Sequence, residues 1–271
     1  MTAAGSSGQS RYARMVERVF LAKHASGDET VDFTRDDLVE AAKALGIDLP
    51  KNVGDVVYSV RYRTSLPDTI TATAPDGKHW VINGAGIAQY RFELVDEAFI
   101  EPTPDLAVTK IPDATPGIID LYSLSDEQAL LAKLRYNRLI DIFLGITCYS
   151  LQNHLRTTVP DLGQVETDEI YVGIDKRGAH YVVPVQAKGG TDKQNTVQIK
   201  QDFDICSHKF PRQIAIPIAA QFMADDLIAL LAFELQDGQP KRSAERHYRL
   251  VPPADLSDSE IAQYAIRADQ D

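Results

Sequence analysis

The sequence predicts an α/β (α+β) chain: a mixed β-sheet flanked by helices, preceded by a smaller helical module that ends in a β-hairpin. Three observations carry this. Up to about residue 98 the chain holds three amphipathic helical runs and then two alternating stretches. Pro102, Pro104, Pro112 and Pro116 then punctuate residues 101–117, which read as a linker. From residue 118 to the end, helical and strand patterns follow one another around a central pair of strands. The expected domains are therefore 1–100 and 118–271.

The first helix is expected from Ser10 to His24, with Met15, Val16, Val19, Phe20 and Leu21 apolar. Thr34-Arg35-Asp36-Asp37 opens a second, carrying Leu38, Ala41, Ala42 and Leu45 and stopped by Gly46. After Leu49-Pro50-Lys51-Asn52 a third, Val53 to Arg63, carries Val56, Val57, Val60 and Tyr62. Thr69 to Ala74 and Tyr90 to Val95 are expected as strands, with His79 to Ile82 between them. Gly84-Ala85-Gly86 reads as a turn; a dinucleotide loop would need a third glycine.

In the second half, Ser125-Asp126-Glu127-Gln128 has the form of a capping box. It opens an apolar series of Leu130, Leu131, Leu134, Ile140, Phe143 and Leu144. The central strands run from Gln164 to Asp175 and from Ala179 to Lys188, joined by Lys176-Arg177-Gly178. Three residues ending in glycine suit a type I turn closed in the left-handed region. Asp175 then pairs with Ala179, which sets Asp168 opposite Gln186 and Glu166 opposite Lys188. All four share one face, because side chains alternate along a strand. Opposed Cβ atoms lie about 5 Å apart, so two such side chains can grip one ion. A four-residue loop would bring Glu169 to Gln186 instead. The plain alternative is a solvated hairpin with a cross-strand Glu–Lys pair. A helix from Asp192 to His208 and a strand from Gln213 to Ile218 complete the series.

This order of elements resembles the nuclease core of the PD-(D/E)XK superfamily, the restriction-endonuclease-like fold of many type II restriction enzymes and RecB-type nucleases. The resemblance covers about residues 118–235. Asp168 matches the family's first acid, and Gln186-Ala187-Lys188 matches its acidic-x-Lys tripeptide, with glutamine in the acidic place. What it implies is a magnesium site (manganese as a substitute) at Asp168 with Glu166 or Gln186, and Lys188 beside the attacking water. A cation there activates water and neutralises charge developing on phosphate. Glu127 or Asp141 would add a ligand from the first helix, and Gln198 and Gln201 resemble the glutamines that follow the lysine in RecB-like members. Two departures stand out. Pro160-Asp161 precedes the Gly163 turn and lies too far back to oppose Gln186. An amide at Gln186 carries no charge and holds magnesium more weakly than a carboxylate.

The first hundred residues resemble a winged helix, whose third helix enters a DNA groove. Lys51, Asn52, Ser59, Arg61 and Arg63 are then the candidate DNA contacts; an interaction module with solvated arginines is the alternative. The whole reads as a magnesium-dependent endonuclease cutting duplex DNA at a specific sequence, acting as a homodimer because two strands need two sites. The alternatives are a non-cleaving DNA-binding regulator on a degenerate core, and a nuclease of RNA or branched DNA.

Composition bounds these expectations. The chain has 271 residues, 44% hydrophobic and 25% charged, which fits an ordinary soluble protein. No apolar run approaches the ~20 residues of a membrane span. The polar start lacks the apolar stretch of a secretion signal. Cys148 and Cys206 alone form no disulfide framework, so a reduced cytoplasmic setting is expected. The six histidines show no ligand spacing. A net charge of −11 counts against a nucleic-acid partner and leaves binding to local patches such as Lys133, Arg135 and Arg138.

Overall fold

The computed structural model describes residues 10–62, 64–122, 127–160, 162–190 and 192–266. Arg63, Ser125, Asp126 and Asp161, singled out from the sequence, lie outside the described residues. Two compact units divide the chain: Met1–Ala98 with Thr158–Gln164, and Phe99–Thr157 with Val165–Asp271.

In the first unit, α1 (Arg11–Lys23) begins where the Ser10 hydroxyl accepts from Ala13 N at 3.1 Å. It buries Met15, Val16, Val19 and Phe20 along one stripe. β1 (Thr30–Thr34) follows, and Thr34 with Asp37 forms the capping box that starts α2 (Arg35–Leu45). Gly46, at φ 62°, ends α2 in the left-handed conformation glycine takes without penalty. Then come α3 (Gly54–Tyr62), the short α4 (Asp68–Thr71), β2 (His79–Gly86) and β3 (Gln89–Val95). The strands form an antiparallel sheet in the order β1-β3-β2. Phe20, Phe33, Leu38, Ile70, Trp80 and Phe92 fill its core.

Two expectations fail here. Residues 69–74 are not a strand: Pro67 precedes a helical turn that buries Ile70. The hairpin is instead β2 with β3, and β1, whose Val31 and Phe33 alternate with exposed polar residues, supplies a third strand that the sequence reading did not include.

The second unit is a mixed eight-stranded sheet in the order β5-β13-β12-β11-β8-β7-β6, with β10 also on β8. In chain order its members are β5 (Val108–Pro112), β6 (Thr147–Val159), β7 (Gly163–Ile174), β8 (His180–Lys188), β10 (Ile214–Ala215), β11 (Ile218–Phe222), β12 (Leu227–Gln236) and β13 (Gln239–Val251). β4 (Phe99–Ile100) and β9 (Gln194–Asn195) form a separate pair. β8 is parallel to β11 but antiparallel to β7.

Helices cover both faces. α6 (Glu127–Tyr136) and α7 (Leu139–Leu144) pack Leu130, Leu131, Leu134, Leu139 and Ile140 on Val183, Val185, Ala187, Ile218, Ala220 and Leu230. α8 (Thr196–Lys209) packs Ile199 and Phe203 on Ala219, Ala229 and Leu231 from the other side. α5 (Gly117–Tyr122) and α9 (Asp258–Ile266) bury no residue. None of the described helices is long and apolar enough to cross a membrane.

The segment read as a linker is part of this sheet. Val108–Pro112 pairs in parallel with β13, and the Glu245 carboxylate accepts from both Thr103 N and Thr103 Oγ1 at 2.7 Å. Pro112 sits at the end of an edge strand, where a missing N–H costs little. The first helix of this half also differs: it breaks at Arg138, whose φ is 53°, into α6 and α7. α8 starts at Thr196 rather than Asp192 because Asn195 caps it, accepting from Val197 N at 2.8 Å. The strand expected at 213–218 is divided at Pro217 between β10 and β11.

Candidate active site

The turn between β7 and β8 sets the geometry. Gly178 sits at φ 82°, and Asp175 N bonds Ala179 O at 3.2 Å. The Asp175 carboxylate accepts from Ala179 N, the Arg177 guanidinium, Arg177 N and Tyr181 OH, and these donors hold its pKa down at about 2. The ladder then runs Ile174↔His180 through Glu169↔Val185, the register the three-residue loop requires.

Beyond Glu169 side chains replace the ladder. Ala187 N donates to Asp168 Oδ2 at 2.8 Å, and Gln186 Nε2 donates to Glu166 O at 3.3 Å. Thr167 Oγ1 reaches Val185 O at 3.4 Å. Asp168 is thus anchored at one carboxylate oxygen by the backbone of the tripeptide itself.

Lys188 does not face Glu166. Its Nζ pairs with Glu127 Oε1 at 2.5 Å, with Lys188 18% and Glu127 36% exposed. Glu166 turns to β6, where Arg156 Nε lies 2.9 Å and His154 Nδ1 3.6 Å away. Of the two helix acids weighed from the sequence, Glu127 reaches the cluster. Asp141 instead pairs with Arg138 and accepts from Cys148 N at 2.9 Å, which fixes the start of β6. Glu169, the ligand in the alternative register, is fully buried and held by Arg135 at 3.0 and 3.2 Å and by the Ser150 hydroxyl.

Gln186 is 1% exposed and fully engaged. Its Nε2 lies 3.0 and 3.1 Å from the two oxygens of Asp202, and its Oε1 accepts from Gln198 Nε2 at 3.2 Å. Gln194 Nε2 bridges the carbonyls of Gln186 and Ala220 at 3.1 and 2.9 Å. Gln198 therefore supports Gln186 rather than Lys188, and Gln201 is 8% exposed on the inner side of α8.

Asp202 is the residue the sequence reading missed. It is 0% exposed, and burial drives its carboxyl pKa well above the usual range. The charge of Asp168 pushes it further up, while hydrogen bonds from Gln186 and Thr167 oppose the rise. Asp168 is also raised, first by burial and also by Glu127; Ala187 N–H, Lys188 and His154 act against it. A signal was present: Asp202 follows Ile199 by three and precedes Cys206 by four, on the apolar face of its helix. A carboxylate at such a position needs a partner.

Asp168 and Asp202 are the oxygen donors here that could hold a hard cation such as magnesium. Two carboxyls disfavoured as anions by burial and repulsion become favoured beside a positive charge. The Gln186 amide already donates to Asp202 and Glu166 O and accepts from Gln198, so turning its oxygen toward a cation would forfeit these bonds. Among the described residues no three His, Cys, Asp or Glu side chains converge on one point. Magnesium needs no such cage, since it is commonly held by one or two carboxylates and water.

An opening of about 440 Å³ lies along Gly190, Ala129, Lys133 and Phe222, with Asp113, Asp120 and Asp226 in its wall. Carboxylates outnumber its one lysine, which makes it a poor bed for phosphates. The basic side chains nearby are committed: Arg135 to Glu169, Arg138 to Asp141 and Lys133 to Asp120 at 3.6 Å.

Of the candidate DNA contacts in the first unit, Lys51 and Asn52 are exposed at the start of α3 and Ser59 is half-buried. Asn52 caps α3, accepting from Gly54 N at 3.1 Å and donating to Asp55 at 2.8 Å. Arg61 lies over the Tyr62 ring at 5.6 Å with its Nε and Nη2 atoms buried, so it does not project outward as expected. No family model, curated protein or solved structure matches this chain.

Proposed function

We propose that this chain is a magnesium-dependent endonuclease that hydrolyses DNA phosphodiester bonds on a PD-(D/E)XK-like core, acting on duplex DNA as type II restriction enzymes do. One observation carries the reading. Asp168 and Lys188 emerge at the parting ends of adjacent strands, with Glu127 on the lysine and a buried Asp202 under Gln186.

In this reading Asp168 and Asp202 hold the cation, and Asp202 supplies from α8 the charge that Gln186 lacks. Bound there, the ion would activate a water and neutralise charge on the phosphate. Glu127 fixes the Lys188 ammonium beside that phosphate, where it orients the water and offsets charge in the transition state. The anchored Asp168 gives the arrangement rigidity before substrate arrives.

In this reading the first unit, with its helix-strand-helix-helix-hairpin order, would serve as a winged-helix-like DNA-reading module. Lys51 remains its exposed cation at the start of α3. Cutting both strands would require a homodimer.

A second reading, a non-cleaving DNA-binding protein on the same core, is favoured by the commitment of Gln186 to Asp202 and Gln198. Incubation of supercoiled plasmid with the protein and magnesium separates the two. Nicked or linear product that disappears with chelator and with Lys188→Ala supports the nuclease. Intact plasmid together with a retained gel shift selects the binder.

A further inference from the structure

His154 lies on β6, a strand the hairpin reading did not include, and adopts φ 48° inside that strand. A positive φ is uncommon for a residue with a Cβ, though histidine takes it more readily than most, and inside a strand it re-aims the side chain. The contacts of His154 come from two other elements. Gln128 Nε2 on α6 lies 3.0 Å from His154 Nε2, and Glu166 Oε1 on β7 lies 3.6 Å from His154 Nδ1. Gln128 is the neighbour of Glu127, which holds Lys188, and the charge of His154 acts on Asp168. The imidazole is hydrogen-bonded at Nε2, has the Glu166 carboxylate near Nδ1, and remains 52% exposed.

A surface histidine that only caps a turn would not need an uncommon backbone to reach two partners. We propose that His154 is a substrate-contacting residue of this site, its Nε2 exchanging Gln128 for a phosphate oxygen of the substrate, with Glu166 orienting the ring from the Nδ1 side. The proposal rests on the nuclease reading above and deepens it, because the ligand is a phosphate of the strand lying beside Asp168 and Lys188. It also gives Glu166 a role: it sits behind the histidine instead of on the metal.

Backbone strain makes the test specific. Glycine at this position relieves the φ penalty and removes the ring, so stability and function should move apart. Binding of a fluorescent DNA duplex is measured by anisotropy with calcium replacing magnesium, beside thermal unfolding and single-turnover cleavage in magnesium. For His154→Gly the proposal expects a Tm equal to or above that of the parent, duplex affinity about tenfold weaker, and slower cleavage at saturating enzyme. Glu166→Gln, which leaves the ring in place, should give a smaller loss in the same direction. Parent-like affinity and cleavage in His154→Gly would overturn the role of His154 while leaving the nuclease reading intact. A parent protein that neither binds nor cuts the duplex would instead overturn the nuclease reading, and this proposal with it.

Discussion

Replacing Asp202 by asparagine should stabilise the fold and disable the site. The Asp202 carboxyl is fully buried, and its pKa is raised chiefly by that burial. Because the folded protein binds this proton more tightly than the unfolded chain, wild-type stability falls as pH rises above about 4, until the folded-state pKa is passed. Each pH unit of that difference costs about 1.4 kcal/mol, or about 3–5 °C in Tm for a unit of this size. Asp202→Asn keeps the shape and removes the titration, so its advantage should grow from little near pH 4 and level off once the folded-state pKa is passed. Asp202→Ala differs, since it strands Gln186 Nε2 without the acceptor now at 3.0 Å. An unpaired buried donor costs about 1–3 kcal/mol, so the alanine variant should melt several degrees lower. Thermal unfolding of the three proteins from pH 4 to 8, without divalent metal, decides the matter. A difference between parent and Asp202→Asn that does not change with pH, or an asparagine variant less stable at pH 8, would mean that burial does not raise the Asp202 pKa.

Magnesium should raise the parent's Tm, by up to about 2.7 kcal/mol of stabilisation at a hundredfold excess over Kd. Asp168→Asn should abolish the shift, as differential scanning fluorimetry would show. Arg135→Ala leaves Glu169 buried without its cation; urea unfolding should register a loss of about 3–5 kcal/mol. Gly178→Ala places a Cβ at φ 82° in the hairpin turn, and the same assay should show a loss of about 1–2 kcal/mol.

The features legible in the sequence were those fixed by local chemistry. Ser10, Thr34 with Asp37, and Gly46 mark helix ends through their own hydrogen bonds or backbone preference. Lys176-Arg177-Gly178 determined a register that holds through six residue pairs. What stayed hidden depends on long-range pairing. β5 is a strand only because β13 lies beside it, and nothing in Val108–Pro112 announces a partner more than a hundred residues away. Glu166 and Lys188 were expected to meet across the ladder, but the strands part before reaching them, and each finds a partner on another element. The role of Asp202 could be glimpsed as a charge on an apolar helix face, yet its pairing with Gln186 follows from how α8 packs on β8.

In the proposed site Asp168 and Asp202 share a divalent cation beneath Lys188, and Asp202 stands in for the missing acid of the tripeptide. Anomalous diffraction from crystals soaked in manganese tests it most directly. A single strong peak is expected within bonding distance of both carboxylates, about 2.0–2.3 Å, and should vanish in Asp202→Asn crystals. A peak bound by neither aspartate, or none at millimolar manganese, would contradict it.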